Sequence, residues 1–223
     1  SGGFDCVIGN PPWERVKIQS REFFALPAPQ IANAESAAAI ETGIKRLKLK
    51  NPDLHELWQR ARRQAETLAE WVRSSGRFPH TGKADMNLAM LFVEFSREIV
   101  APGGLVGLLV PSGIATDDTT KDFFNDLMER KALVSLYDFE NKEGHFEDVH
   151  RSFKFTVLVF GGGEKQTEQA DFVFYAHEVE EVAEVNKQRH ITLTAADMKL
   201  LNPNTKTCPI FRTRRDAALT RGL

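Results

Sequence analysis

The stretch Phe4-Asp5-Cys6-Val7-Ile8-Gly9-Asn10-Pro11-Pro12-Trp13 decides how the rest of this sequence is interpreted. It begins with a short apolar run that ends at glycine and proline, which is typical of a buried strand in a parallel sheet. The strand must end at Asn10, because Pro11 and Pro12 lack a backbone N–H and their φ angles are fixed. Pro11 also keeps Asn10 extended. The pattern predicts a rigid turn at the carboxyl end of a strand, where open α/β sheets bind ligands.

The groups on this turn suit one kind of ligand. The side-chain carbonyl of Asn10 and the backbone carbonyl of Pro11 are two hydrogen-bond acceptors held close together. Together they would bind a planar exocyclic amine, such as N6 of adenine, and draw its lone pair out of conjugation towards an electrophile. Trp13 offers a flat face on which a base can stack, an interaction worth ~1–3 kcal/mol per base. A base in a duplex would have to be flipped out to reach this pocket.

Asn10-Pro11-Pro12-Trp13 after a Phe-Asp-x-Val-Ile-Gly strand resembles the catalytic motif of the S-adenosylmethionine-dependent DNA adenine-N6 methyltransferases. The resemblance is to the Eco57I-like restriction-modification methylases in particular, and it covers most of residues 4–160. It implies that Asn10 and Pro11 bind the target amine and that Trp13 stacks on the flipped adenine. It also implies S-adenosylmethionine as the cofactor and double-stranded DNA as the partner.

The resemblance extends to further site residues. The family places a second aromatic side chain against the base, for which the candidates here are Phe146, Phe153 and Phe155. The segment before a predicted helix from about Ala84 to Val100 lies near the cofactor in the family, which makes Lys83 and Asp85 candidates for cofactor binding. Each of these residues has a structural alternative, namely a core phenylalanine, a helix cap or a solvated lysine.

Strands and helices alternate along the chain, which predicts a parallel, doubly wound α/β core. Together with the resemblance, this indicates part of a Rossmann-like class I methyltransferase sheet. Strands are predicted over 105–110, 133–139 and 153–160, and the last two have no helix between them, which indicates an antiparallel edge pair. Residues 34–75 are expected to form a helical hairpin inserted after an irregular loop at 14–33. We expect the catalytic domain to end near residue 163 and residues 164–223 to form an extension.

A Gly-rich turn between a strand and a helix, which would hold the methionine end of the cofactor, is not found in the sequence. We therefore expect an excised catalytic half with an incomplete cofactor site, inactive or nearly so by itself. The expected missing parts are an N-terminal cofactor-binding half and a C-terminal target-recognition region. A permuted motif order would instead place the Gly-rich turn later in the chain.

Composition sets the remaining limits. The chain has 223 residues and a formal net charge of −2, so it lacks the global basic character of many nucleic-acid binders. Basic clusters within 45–50, 60–63 and 212–215 are either solvated faces or phosphate contacts. Cys6 is expected in the core, and no metal site is expected from the histidines that flank Asp148. The sequence shows neither a membrane-spanning apolar run nor a signal peptide, which indicates a cytoplasmic protein.

Two other classes of function remain open. An Asn-Pro-Pro-aromatic turn also serves methyltransferases that act on RNA bases or on protein glutamine, although those chains tend to be more compact. A non-catalytic module could grip nucleic acid within a larger assembly. Trp13 and the complete turn argue against such a module, because binding alone does not need two rigid acceptors.

Overall fold

The computed structural model describes residues 2–83, 85–205 and 207–221 and divides the chain into two compact units. Residues 15–86 form a helical unit. The residues up to 14 and from 87 onwards form a second unit, which is built on a β-sheet. The helical unit is thus inserted, in sequence, directly after the Asn-Pro-Pro-Trp turn. The predicted domain division near residue 163 stays a prediction.

The helical unit contains α1 (Ser20–Phe24), α2 (Pro29–Ala32), α3 (Ala37–Lys50) and α4 (Pro52–Ser74). The predicted helical hairpin is confirmed in α3 and α4, whereas the loop predicted at 14–33 contains two short helices. The Asn51 side chain caps α4 by accepting a hydrogen bond from the Leu54 N–H at 3.1 Å, and Pro52 occupies its first turn. The apolar faces of these helices meet in one core that includes Phe24, Ile40, Leu47 and Trp58.

Six strands form one sheet among the described residues: β1 (Phe4–Gly9), β2 (Val100–Pro111), β3 (Leu133–Glu140), β4 (Lys154–Gly161), β5 (Ala170–Ala176) and β6 (Ile191–Leu193). Their order is β1-β2-β4-β3-β5-β6. β1 pairs parallel with β2, and β3 pairs parallel with β5, while β4 runs antiparallel to both of its neighbours. The carboxyl ends of β1, β2, β3 and β5 therefore lie along one edge of the sheet, together with the start of β4.

The predicted α/β class is confirmed, as are the strands expected at 133–139 and 153–160. β3 and β4 form the expected antiparallel pair, but β4 lies between β2 and β3, and the antiparallel strand at the end of the sheet is β6. β2 begins earlier than predicted, at Val100, and runs through Pro102-Gly103-Gly104. Gly104 permits this course, because a Cβ there would lie 2.7 Å from the Phe4 backbone oxygen.

Five α-helices of this unit lie among the described residues: α5 (Leu88–Ile99), α6 (Gly113–Thr116), α7 (Lys121–Glu129), α8 (Ala195–Leu201) and α9 (Arg214–Arg221). α5 begins later than predicted, and its predicted start at Ala84 lies outside the described residues. The sheet and these helices share a core that contains Phe123, Phe160 and Phe172. None of the described helices has the length and apolar character that crossing a membrane requires.

Two predictions about β1 are wrong. The strand was expected to be buried, but it lies at the end of the sheet order and pairs with β2 alone among the described residues. Phe4 is exposed and Ile8 is 82% exposed. Cys6, expected in the core, is exposed as well. An apolar composition is the same in a central strand and in an edge strand, so it does not reveal how much of the strand is exposed.

Candidate functional site

The turn that follows β1 presents a free carboxamide. Asn10 is exposed, and its side chain forms no hydrogen bond with any other described residue. Pro11, next to it, is buried, whereas Pro12 is exposed. The turn is therefore anchored by one proline ring, while the Asn10 carbonyl and amide remain available to a ligand at the carboxyl edge of the sheet.

Trp13 fixes the other end of this turn. Its indole Nε1–H donates a hydrogen bond to the Leu109 carbonyl of β2 at 3.3 Å. The Trp13 backbone carbonyl accepts a hydrogen bond from Asn87 Nδ2 at 3.0 Å. The side-chain oxygen of Asn87, Oδ1, caps α5 by accepting a hydrogen bond from the Ala89 N–H. Asn87 thus ties the start of α5 to the turn. Its position before an apolar helix was the one sequence signal for this role.

An aromatic cluster surrounds the indole of Trp13, which is half-buried. The Phe153 ring stacks on it with 5.7 Å between centroids and 16° between planes, and the Phe146 ring meets it edge-on at 6.1 Å. Phe153 and Phe146 therefore meet the indole directly. Phe155 is buried in the neighbouring core, where it stacks on Phe139 at 5.2 Å and meets the Phe146 ring edge-on at 5.1 Å, and Trp13 packs against the same cluster. The role of each as a stacking candidate stays a prediction.

The contact between Trp13 and Phe153 leaves no slot for a base between the two rings. Atoms in van der Waals contact are about 3.5 Å apart, so a base sandwiched between two rings would need about 7 Å between them. The observed centroid distance is 5.7 Å. Phe153 is 41% exposed and precedes β4.

The loop that carries Phe146 is held by an asparagine that sequence analysis missed. Asn141 is fully buried, and its Nδ2 donates to the carbonyls of Phe146 and Val149, both at 2.9 Å. Its Oδ1 accepts a hydrogen bond from the Phe146 N–H at 3.0 Å. These three bonds fix the backbone on both sides of Phe146 and thereby orient its ring towards Trp13. Only its position directly after a strand could have drawn attention to Asn141.

Buried polar groups follow the neighbouring strands at the same edge. The Ser112 hydroxyl, just after β2, donates a hydrogen bond to the Asp138 carboxylate in β3. Burial raises the pKa of Asp138, and the hydrogen bonds from Ser112 and from the Tyr175 backbone oppose this shift. Nearby, a hydrogen bond from Lys142 lowers the pKa of Glu140. The edge therefore combines one buried carboxyl that resists ionisation with one partly exposed carboxylate that is held ionised.

The remaining predicted residues fall elsewhere. Lys83 and Asp85 belong to the helical unit, where the Asp85 carboxylate lies 4.0 Å from Arg15, and their role in cofactor binding stays a prediction. His145 and His150 are used locally, contacting the His177 carbonyl and the Ser152 hydroxyl. Among the described residues, no three side chains of the metal-binding types come together.

No protein-family model matches this sequence, and no curated protein sequence matches it. Similar solved structures include the methyltransferase subunit of a type I restriction-modification system from Streptococcus thermophilus, with 11% identity, a TM-score of 0.45, and coverage of 62% of this chain and 33% of that one. This chain thus spans about a third of that subunit.

Two further solved structures are similar in part. One is the ATP-dependent Type ISP restriction-modification enzyme LlaBIII bound to DNA, with 10% identity, a TM-score of 0.40, and coverage of 77% of this chain and 10% of that one. The other is a Listeria monocytogenes protein described as a class I S-adenosylmethionine-dependent methyltransferase, with 10% identity, a TM-score of 0.44, and coverage of 84% and 41%. Similarity at this level does not establish a function, which must rest on the side chains of the site.

Proposed function

We propose that this chain is the catalytic part of a DNA adenine-N6 methyltransferase of a restriction-modification system, which acts on a flipped adenine. One observation carries the proposal: the Asn10 carboxamide is exposed at the carboxyl end of a parallel strand and forms no hydrogen bond with any other described residue. Beside it stand the carbonyl of the buried Pro11 and the indole of Trp13. Two acceptors and a planar face are what recognition of an aromatic amine requires.

In the proposed reaction, the Asn10 and Pro11 carbonyls accept the two N6–H hydrogen bonds of the adenine. This geometry withdraws the nitrogen lone pair from the ring and directs it towards an electrophilic methyl group. The methylated amine is cationic and releases its proton to water, so a general base is not required. Trp13 positions the base by stacking, and its hydrogen bond to Leu109 keeps the indole from turning away.

S-adenosylmethionine is the proposed cofactor, and we propose that this chain holds only part of its pocket. The Gly161-Gly162-Gly163 run begins at the last residue of β4 and leads into a loop rather than a helix. A Cβ at Gly162 would lie 2.0 Å from the Ala101 carbonyl oxygen, so Gly162 serves close backbone packing rather than an open cradle. To this chain we assign the half of the site that holds the target amine.

The exposed edge of β1 supports a specific place for the other half. β1 has apolar side chains such as Phe4 and Ile8 in solvent, and it pairs on one side only among the described residues. Such an edge is a template for another strand. We propose that a cofactor-binding half pairs along β1, which would put the cofactor beside Asn10, and that a target-recognition region completes the enzyme.

One observation favours a second candidate. Because the Trp13 and Phe153 rings are in contact, a ligand that does not need to lie between two rings, such as the carboxamide of a protein glutamine, is an alternative to a base. The two acceptors at Asn10 and Pro11 would bind that NH2 group in the same way.

Product analysis distinguishes the candidates. The intact polypeptide that carries residues 1–223 is incubated with duplex DNA and tritiated S-adenosylmethionine, and the labelled product is identified by chromatography. We expect N6-methyladenine, with a rate that falls by roughly 100-fold or more in Asn10→Ala, the usual cost of losing one group that stabilises a transition state. Asn204→Ala, a change at another exposed asparagine, is the control and should retain activity. Label in protein, in RNA or in another base, or undiminished activity of Asn10→Ala, would overturn the proposal.

A further inference from the structure

The end of α3 concentrates positive charge in a chain that is otherwise acidic. Residues 45–50, Lys-Arg-Leu-Lys-Leu-Lys, contain four cations and no acid. Because the whole chain has a formal net charge of −2, the remaining residues together carry −6. We call these six residues the basic tip, since they end the first helix of the α3–α4 hairpin. A local cluster of this kind is the electrostatic footprint expected of a phosphate contact in a protein without net positive charge.

Most cations of the basic tip have no ion-pair partner among the described residues, whereas two arginines of α4 do. Elsewhere, Arg60 pairs with Glu56 at 3.4 Å and Arg62 pairs with Glu66 at 2.7 Å. In the basic tip, Lys45 pairs with Glu41 at 3.1 Å. The other three cations are exposed and have no carboxylate partner among the described residues; they are Arg46, Lys48 and Lys50.

The apolar residues around the basic tip argue against a membrane surface as its partner. A helix that lies on a membrane needs a continuous apolar face beside its basic face. The apolar side chains Ile40 and Leu47 of α3 are already buried in the core of the helical unit. Leu49, 90% exposed, is the remaining apolar side chain of the basic tip. One leucine among four cations suits an anionic polymer in water better than a lipid interface.

We propose that the basic tip binds the phosphodiester backbone of double-stranded DNA. The choice of duplex DNA as the partner rests on the proposed function, whereas the positive charge of the basic tip is observed whatever that function is. Contacts of this kind carry no sequence information but fix the position of a protein on its duplex. The helical insertion would then contribute phosphate contacts to DNA binding.

The test is the salt dependence of DNA binding by this chain. Anisotropy of a fluorescein-labelled duplex is measured between 50 and 200 mM KCl for wild type and for the triple variant Arg46→Gln/Lys48→Gln/Lys50→Gln. Each lost phosphate contact removes about 0.9 from the slope of log K against log salt, so the slope should become less negative by about 2.7. Over this range the wild-type affinity should then fall about 40-fold more than that of the variant.

A matched triple variant, Arg60→Gln/Arg62→Gln/Lys131→Gln, removes the same charge from ion-paired positions and should leave the slope unchanged. Circular dichroism checks that both variants fold. Equal losses in both variants, an unchanged slope in the tip variant, or tip-dependent binding of anionic vesicles in place of duplex would overturn the proposal. Only binding is read out, so these results are separate from the methyl-transfer test of Asn10.

Discussion

Two asparagines at the carboxyl edge of the sheet should respond in opposite ways to substitution by alanine. Asn10 is exposed and its side chain forms no hydrogen bond with the other described residues, whereas Asn141 is fully buried and forms three. Asn10→Ala should change the free energy of unfolding by no more than about 0.5 kcal/mol, as is usual for exposed positions without partners. The Asn10 amide would then be shown to be available for a ligand.

The loss in Asn141→Ala follows from its contacts. Three hydrogen bonds contribute about 1 kcal/mol each, and the Phe146 N–H and the Val149 carbonyl, both partly buried, would lose the partner that Asn141 provides. The expected destabilisation is about 3 kcal/mol or more. At about 2–4 °C per kcal/mol for a chain of this size, the melting temperature should fall by at least about 6 °C.

Urea and thermal unfolding, followed by circular dichroism, measure both variants under the same conditions. The two substitutions remove the same atoms, so any difference reports the environment rather than the chemistry of asparagine. A loss of more than about 1 kcal/mol in Asn10→Ala would show that the amide serves the fold, and the reasoning about the site would then fail. A loss below about 1 kcal/mol in Asn141→Ala would refute the role assigned to its three bonds.

Cys6 is exposed and should react quickly with a thiol reagent in the native chain. Cys208 is buried, and burial raises its pKa, so it should react only after unfolding. Fast reaction of both thiols in the native chain would contradict this. Gly104→Ala should destabilise the sheet unit by about 1–3 kcal/mol, because the new Cβ would clash with backbone oxygens of β1. A Cβ at Gly103 would meet no atom within 4 Å, so Gly103→Ala should be tolerated. Urea unfolding of both variants tests this difference. Burial raises the pKa of Asp138, so the folded chain holds this proton more tightly, and the carboxyl's contribution to stability should fall as pH rises from about 4 through the folded pKa. Asp138→Asn should remove this decrease in stability. If the free energies of unfolding of the wild type and of Asp138→Asn changed in parallel with pH, the prediction would be contradicted.

Sequence predicted well what local chemistry determines. The helical hairpin was recognisable because Asn51 and Pro52 form a helix start from adjacent residues. The sequence of α8 carries a similar local signal, since Thr194 and Asp197 cap the helix reciprocally. The turn at Asn10 was predicted from two prolines whose backbone limits are independent of context.

What sequence missed depends on contacts between distant segments. The apolar run of β1 is the same whether the strand is central or at an edge, so its exposure and that of Cys6 could not be read from it. Phe153 and Phe155 are two residues apart, but Phe155 pairs across the sheet with Phe139 and is buried, while Phe153 precedes the strand and reaches Trp13. The pairing of β4 between β2 and β3 decides this difference, and it is invisible in the local pattern.

The most direct test asks whether Asn10 touches the target amine. The intact polypeptide is bound to duplexes that carry either adenine or purine, which lacks the 6-amino group, at the methylated position, and affinities are measured for wild type and Asn10→Ala. If the side-chain carbonyl of Asn10 accepts a hydrogen bond from that amine, removing the amine and removing the Asn10 side chain should each weaken binding, but the two losses of binding free energy should not add. The coupling energy between them should be about 1 kcal/mol or more. Additive losses, with a coupling near zero, would contradict the claim that this carboxamide binds the base.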